Sequence, residues 1–368
     1  MAQGRFLNEP VEMSRGVQST ASSVAALPPF LAACRCLPVA HTPIWIQRQA
    51  GRYLPEYRAL REQHDFLTLM RTPELAVEVT LQPIRRFPLD AAILFADIMT
   101  PLDGLGLGLT FAPGPVLERP VRSPAAVEAL VLPDIEESAG YVMAAIRALR
   151  GELPANVPLI CFAGAPFTLF CYLIEGQGGG GFVQARSFMY REPVAAVRLM
   201  DKLADLGIAY LRAQANAGAQ ALMLFDSWAG LLAPEEFRRF ALPAVRKMLE
   251  GLAGTGLPRI YFPFQGGALL ADAATLPVEV LGVDWRTPLS AAREIVGDSI
   301  AVQGNLDPAA LFAEDAELER LADRVLAEAG PLPGHIFSLG HGIERTSDPA
   351  KVARLIDHVH KHSAGHAR

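Results

Sequence analysis

Two arginines four residues apart, Arg48 and Arg52, bracket the segment Gln49-Ala50-Gly51, and Arg61 follows a little further on. Guanidinium forks grouped in this way suit several carboxylates or a phosphate, each charge-assisted hydrogen bond being worth roughly 1.5–3 kcal/mol. The plainer use of such a pair is bridging to Asp or Glu on neighbouring loops; the grouping favours an anionic ligand. Asp97 follows the apolar run Ile93-Leu94-Phe95-Ala96 and precedes Ile98-Met99. A carboxylate flanked by such residues needs a donor or a cation opposite it, because burying an unpaired charge is expensive. Pairing with Arg48 or Arg52 would meet that need as readily as donors on a ligand. Tyr172, Ser227 and His341 are further polar candidates, each with a bland counterpart. Tyr172 can be a core residue with a satisfied hydroxyl, Ser227 a helix cap, and His341 a shaper of the tight turn Gly340-His341-Gly342.

These residues need elements to bring them together, and the sequence offers a repeating set. Eight apolar runs, each closed by Gly, Pro or a polar cluster, alternate with helix-like stretches: 43–48, 91–97, 158–164, 221–226, 259–264, 278–284, 299–304 and 335–340. Continuous apolar character without strict alternation is the mark of parallel strands buried on both faces. Helix starts are signalled by a cap residue followed by Pro at Thr72-Pro73, Asp307-Pro308 and Asp348-Pro349. Eight strand-plus-helix units predict a single α/β domain, a (β/α)8 TIM barrel of eight parallel strands over residues 31–368, preceded by a leader over residues 1–30. In that fold the site is built at the C-terminal ends of the strands. Arg48, Asp97, Ser227 and His341 all stand at such ends, and Tyr172 lies in the stretch after the third strand. The Gly- and Pro-rich segment 101–133 reads as an excursion over the rim. Gly178–Gly181 reads as a mobile loop, because it lacks the Lys-Ser/Thr of a phosphate-binding loop.

Composition narrows the chemistry further. The chain has 368 residues, 51% hydrophobic and 20% charged, with a net charge of −6 and no long basic block, so no nucleic-acid partner is expected. No run approaches the length of a membrane span, and the N-terminal residues lack a basic-then-apolar signal pattern. Four cysteines, three of them in apolar surroundings, imply a reducing compartment and a cytoplasmic location. The 33 basic residues comprise 29 Arg and four Lys, at Lys202, Lys247, Lys351 and Lys361, all in stretches that read as outer helices. A Schiff-base lysine at the site is therefore not expected. No metal is expected either: there is no His-Glu-x-x-His, Cys34-Arg35-Cys36 has no matching ligand pair, and the run from His358 to His362 reads as a solvated helix end.

The strand-end residues together resemble the uroporphyrinogen decarboxylase family. The likeness runs through the block Arg48-Gln49-Ala50-Gly51-Arg52-Tyr53-Leu54-Pro55-Glu56, Phe95-Ala96-Asp97-Ile98-Met99, Phe225-Asp226-Ser227-Trp228 and Leu339-Gly340-His341-Gly342. It covers roughly residues 30 to 360. The resemblance implies a cofactor-independent homodimer acting on uroporphyrinogen. It places substrate contacts on Arg48 to Arg52, Arg61, Asp97, Tyr172, Ser227 and His341; from those residue types, Asp97 is the catalytic carboxylate that stabilises the cation developing on the substrate, and Arg48 is the catalytic candidate for delivering protons, directly or through a water. Two rivals share some of these features: a zinc-dependent corrinoid or thiol methyltransferase of the same superfamily, and a tetrapyrrole-binding protein without turnover. The first needs a His-x-Cys and a distant Cys, which are not found beside Cys161 or Cys171.

Overall fold

The computed structural model describes residues 27–111 and 114–364; the first 26 residues of the expected leader lie outside them. In chain order the strands are β1 (Ala92–Ile93), β2 (Leu109–Phe111), β3 (Pro115–Leu117), β4 (Leu159–Gly164), β5 (Ala221–Asp226), β6 (Arg259–Pro263), β7 (Val280–Gly282), β8 (Ala301–Gln303) and β9 (His335–Ile336). Seven of them form one parallel sheet in the order β1-β4-β5-β6-β7-β8-β9, while β2 and β3 make a separate antiparallel hairpin. The result is an α/β fold with a curled parallel sheet. Each of the seven falls inside one of the apolar runs, as expected of strands with helices packed outside them.

The first of the eight runs departs from expectation. Within 43–48 only Ile44 makes a ladder contact, a parallel bridge to Phe337, supported by Phe337 N–H donating to Pro43 O at 2.8 Å. On its other side Asp90 N–H donates to Ile44 O at 2.9 Å. Gln49 stops the strand. Its N–H donates to Ile46 O at 2.8 Å and its side-chain oxygen accepts from Ile46 N–H at 3.1 Å, so the backbone turns before pairing can spread. The described sheet therefore has seven strands, and the expected eighth is a single bridge.

Alternation along the strands sorts the buried side chains into two cores. Leu159, Cys161, Leu222, Leu224, Tyr261, Leu281 and Val302 join the large cluster under the helices. Their neighbours Ile160, Phe162, Met223, Phe225, Ile260, Phe262, Val280 and Ile336 form a second cluster on the other face, with Trp45. The helix Pro29–Ala33 adds Phe30, Leu31 and Ala33 to that inner core, which the curled sheet wraps. Trp45 is 0% exposed and its Nε1 donates to Gln303 Oε1 at 2.9 Å, so the one polar atom of this large side chain is satisfied inside.

The described residues of the segment 101–133 form the excursion expected there. It carries the hairpin and the helix Pro124–Ala129, and it ties back onto the third unit: Leu117 N–H donates to Gly176 O at 2.7 Å and Val121 N–H to Leu173 O at 2.8 Å. It thereby braces the helix Pro166–Glu175, which carries Tyr172.

Candidate active site

Arg48 lies in the turn that ends the bridge segment and has φ +64°, a left-handed conformation that a non-glycine residue rarely adopts. Such a backbone costs of order 1–3 kcal/mol and persists where its surroundings hold it. The Arg48 side chain lies along Gly342, where a Cβ would overlap its Cδ and sit 2.9 Å from Nε. From that position its charge acts on Asp97, Tyr172 and His341, which come from three other strand ends.

Asp97 follows β1 by four residues and is half-buried. One carboxylate oxygen accepts from Met99 N–H at 2.9 Å, ahead of the short helix Thr100–Asp103, and Asp97 N–H donates to Thr100 Oγ1 at 3.3 Å. The other oxygen makes no hydrogen bond among the described residues. Burial pushes this carboxyl above its ordinary value, opposed by the Met99 amide and the Arg48 charge. It is an acceptor held in place with one face unspent.

Tyr172, 9% exposed, stands near the end of the helix Pro166–Glu175. Its ring meets Phe182 at 5.5 Å and Trp228 at 6.2 Å between centroids. Burial, reinforced by the Asp97 charge, pushes its hydroxyl up to about 12, so it stays a neutral donor. Phe182 arrives there through the glycine run: Gly179, Gly180 and Gly181 all have positive φ, and the turn they make delivers a buried ring behind Tyr172.

Ser227 and Trp228 form the turn after β5, and a buried network holds that turn. Asp226, 0% exposed, accepts from the Thr168 hydroxyl at 2.6 Å and from the Tyr261 hydroxyl at 2.8 Å. The Thr168 oxygen in turn accepts from Trp228 N–H at 3.2 Å. Burial raises the Asp226 carboxyl to about 6, with the two hydroxyls working the other way.

His341 packs on Phe264 at 4.3 Å, and Phe264 also faces Trp285 and the Arg286 guanidinium. Burial, with the charges of Arg48 and Arg286 adding, lowers His341 to about 4. The imidazole is therefore neutral near physiological pH and can both donate and accept.

The other expected contacts separate from this group. Arg52 and Arg61 line an open hollow of about 410 Å³ together with Arg58, Arg345 and Glu62. The side chain of Gln49 is 0% exposed and spent on Ile46 N–H and Ala91 O. Ala50 packs against the large core, and Gly51 O accepts from Leu54 N–H at 3.0 Å. Glu56, on the helix that carries Arg58 and Arg61, is taken by Arg86. Sequence reading missed Arg58, Arg345, Phe182 and the network behind Ser227. Arg58 carried a signal, since it lies three residues before Arg61 on the helix Pro55–Gln63. Arg345 carried none.

All four lysines lie on helices away from this group, and Lys202, Lys247 and Lys351 are engaged by main-chain oxygens or Asp side chains. The group offers a held carboxylate, a cation beside it, and neutral donors from tyrosine and histidine. That set can cradle a polyanion and stabilise positive charge that develops near Asp97. No helix among the described residues is long and apolar enough to cross a membrane.

Comparison with known proteins agrees on one family. The uroporphyrinogen decarboxylase (URO-D) family profile matches residues 26–362. The uroporphyrinogen decarboxylase of Syntrophotalea carbinolica is 50% identical over 90% of this chain and 97% of its own length. That of Trichlorobacter lovleyi is 48% identical over 90% of this chain and 98% of its own. Among solved structures, a methyltransferase from Methanosarcina mazei superposes with a TM-score of 0.77 at 18% identity, covering 91% of this chain and 98% of the other, a likeness of fold alone.

Proposed function

This chain belongs to the uroporphyrinogen decarboxylase family, and from that premise we propose how its own residues carry the reaction. The chemistry is that of a carboxy-lyase of tetrapyrrole biosynthesis: four acetate side chains of uroporphyrinogen lose carbon dioxide and become methyl groups, giving coproporphyrinogen.

Breaking the bond between an acetate methylene and its carboxylate leaves an electron pair that must be stored. The pyrrole can store it once a proton has added to a ring carbon, which turns the ring into an iminium-like cation. Carbon dioxide then leaves, the electrons return to the ring, and protons are exchanged so that the arm ends as a methyl group. The pyrrole N–H donors of a domed tetrapyrrole converge on one point, and a single carboxylate there accepts several at once. Asp97 is that carboxylate. Its unspent oxygen faces the substrate while the Met99 amide fixes the other. Preorganised stabilisation of this kind is worth on the order of 10²–10³ in rate for one key group.

Arg48, set beside Asp97 by the turn and by Gly342, holds the reacting acetate, directly or through a water. Tyr172, Ser227 and His341 orient the macrocycle, and Arg52 and Arg61 hold outer carboxylates from the adjoining hollow. The main chain of Gln49, Ala50 and Gly51 shapes the turn between the two arginines. The observation that carries this reading is that Asp97, Tyr172 and His341 all lie within reach of the Arg48 charge, with one oxygen of Asp97 left unbonded. Crystals with coproporphyrinogen bound test it: the four ring nitrogens are expected over the Asp97 carboxylate, and nitrogens facing any other group would overturn the assignment.

The Ile44 bridge, bonded towards both β9 and Asp90 beside β1, supports reading the sheet as a (β/α)8 barrel over residues 31–368 whose first strand is minimal. Family resemblance supports a homodimer without metal or organic cofactor at the site. The unbonded, buried thiols of Cys34, Cys161 and Cys171 suit a cytoplasmic setting.

A further inference from the structure

The His358–His362 run, expected as a solvated helix end, is so only in part: Lys361 and His362 are exposed, while the residues before them turn inward. His358 is 8% exposed, and His360 reaches from the helix Pro349–Ser363 to meet two residues from the other end of the chain. His360 Nε2 lies 2.7 Å from Asp90 Oδ2, and His41 Nε2 lies 3.0 Å from Asp90 Oδ1. The two imidazoles meet edge to face at 4.4 Å. All three side chains are half-buried, and their candidate ligand atoms lie within 4.8 Å of one another.

We propose that His41, Asp90 and His360 form a binding site for a divalent transition metal of the zinc type, which clasps the weakest seam of the sheet. Two imidazole nitrogens and one carboxylate are a ligand set that zinc accepts, with a water as fourth ligand. Tetrahedral geometry at metal–ligand distances of about 2.0–2.2 Å sets ligand atoms about 3.3 Å apart. The 3.0 Å contact runs from His41 to Asp90 Oδ1 and the 2.7 Å contact from His360 to Oδ2, so a metal between the two imidazoles would meet both oxygens of the carboxylate. Asp90 is already oriented as a ligand should be, since its Oδ2 accepts from Ile44 N–H at 2.8 Å.

The position gives the site a purpose. Asp90 immediately precedes the β1 run, His41 precedes the bridge segment, and His360 belongs to the last helix. Between β1 and β9 the ladder is reduced to the Ile44 bridge, so few main-chain bonds hold this junction. Thr42 N–H donating to Ser363 Oγ at 2.9 Å is a second tie between the same two segments. A metal here would fasten three segments across that junction. The site stands apart from Asp97 and the arginines and is independent of the decarboxylase chemistry.

The test uses the full-length protein, stripped with a chelator and desalted, then titrated with cobalt(II) or zinc. We expect one equivalent of metal per chain, visible d–d bands with cobalt, and a melting midpoint that rises with zinc concentration. His41→Gln with His360→Gln should lose that binding. His358→Ala with His362→Ala should keep it, which separates the site from the neighbouring Asp323, His358 and His362 group. Binding that survives the first pair or vanishes with the second overturns the proposal, as does no binding at all. If the first pair does not fold, anomalous scattering from zinc-soaked wild-type crystals decides. A peak between His41 and His360 is expected, and a peak elsewhere or none contradicts it.

Discussion

The Arg48 side chain rests on Gly342, close enough that a Cβ at that glycine would overlap Arg48 Cδ. The glycine of the second strand-end motif thus makes room for the arginine of the first. No positive φ demands glycine at 342, so its selection is steric.

Gly342→Ala should therefore fold but displace the guanidinium, and small misplacement at a reacting centre can cost about 10²-fold. We expect kcat/KM to fall about ten- to a hundredfold with a melting midpoint changed by only a few degrees. Anaerobic turnover of uroporphyrinogen, followed by separation of the porphyrin products, measures it. Wild-type kcat/KM would show that Gly342 does not place Arg48.

Arg52→Lys keeps the charge but loses the planar fork. Weaker binding of coproporphyrinogen, by about tenfold, is the expected outcome, with kcat reduced less than affinity. Titration of a bound tetrapyrrole by protein fluorescence reads this directly, and unchanged affinity contradicts the role given to the hollow.

Ionisation of Asp226 affects stability with a definite sign. Its carboxyl rises from 3.8 to about 6 in the folded protein because it is buried. Between those values the unfolded chain has released a proton that the folded chain retains, so stability from this group is present below about pH 4 and is lost as pH rises to about 6. The change is on the order of a few kcal/mol. Urea midpoints at the two ends of that window should show a smaller decline for Asp226→Asn than for wild type. Equal declines would mean that Asp226 ionises normally.

His341, lowered to about 4 chiefly by burial, is neutral from about pH 6 upward. His341→Gln retains a neutral donor and acceptor, so its kcat/KM should keep the wild-type shape above that pH while falling about tenfold. A lost ionisation in that range would show that the imidazolium takes part.

Much of this was legible because parallel strands buried on both faces announce themselves as apolar runs, as at Ala221–Asp226, where expectation and strand coincide. The run at 43–48 misled because its composition is strand-like while Gln49 spends its side chain on Ile46 N–H. Nothing in composition marks an internal cap of that kind. Arg48 and Arg52 looked equivalent in sequence, yet the left-handed backbone at Arg48 turns it towards Gly342 while Arg52 faces the hollow. Arginine gives no warning of such a conformation. The meeting of His41, Asp90 and His360 was out of reach because it joins the last helix to segments 270 or more residues before it.

If the Asp97 carboxylate stabilises the cation formed on the substrate ring, Asp97→Asn reveals it with the least rearrangement. Single-turnover rates at saturating uroporphyrinogen, measured without oxygen beside a binding titration with coproporphyrinogen, separate chemistry from affinity. The rate should drop by about 10²–10³ while the variant still folds and binds within about tenfold of wild type. A variant that decarboxylates at the wild-type rate would contradict that role for Asp97.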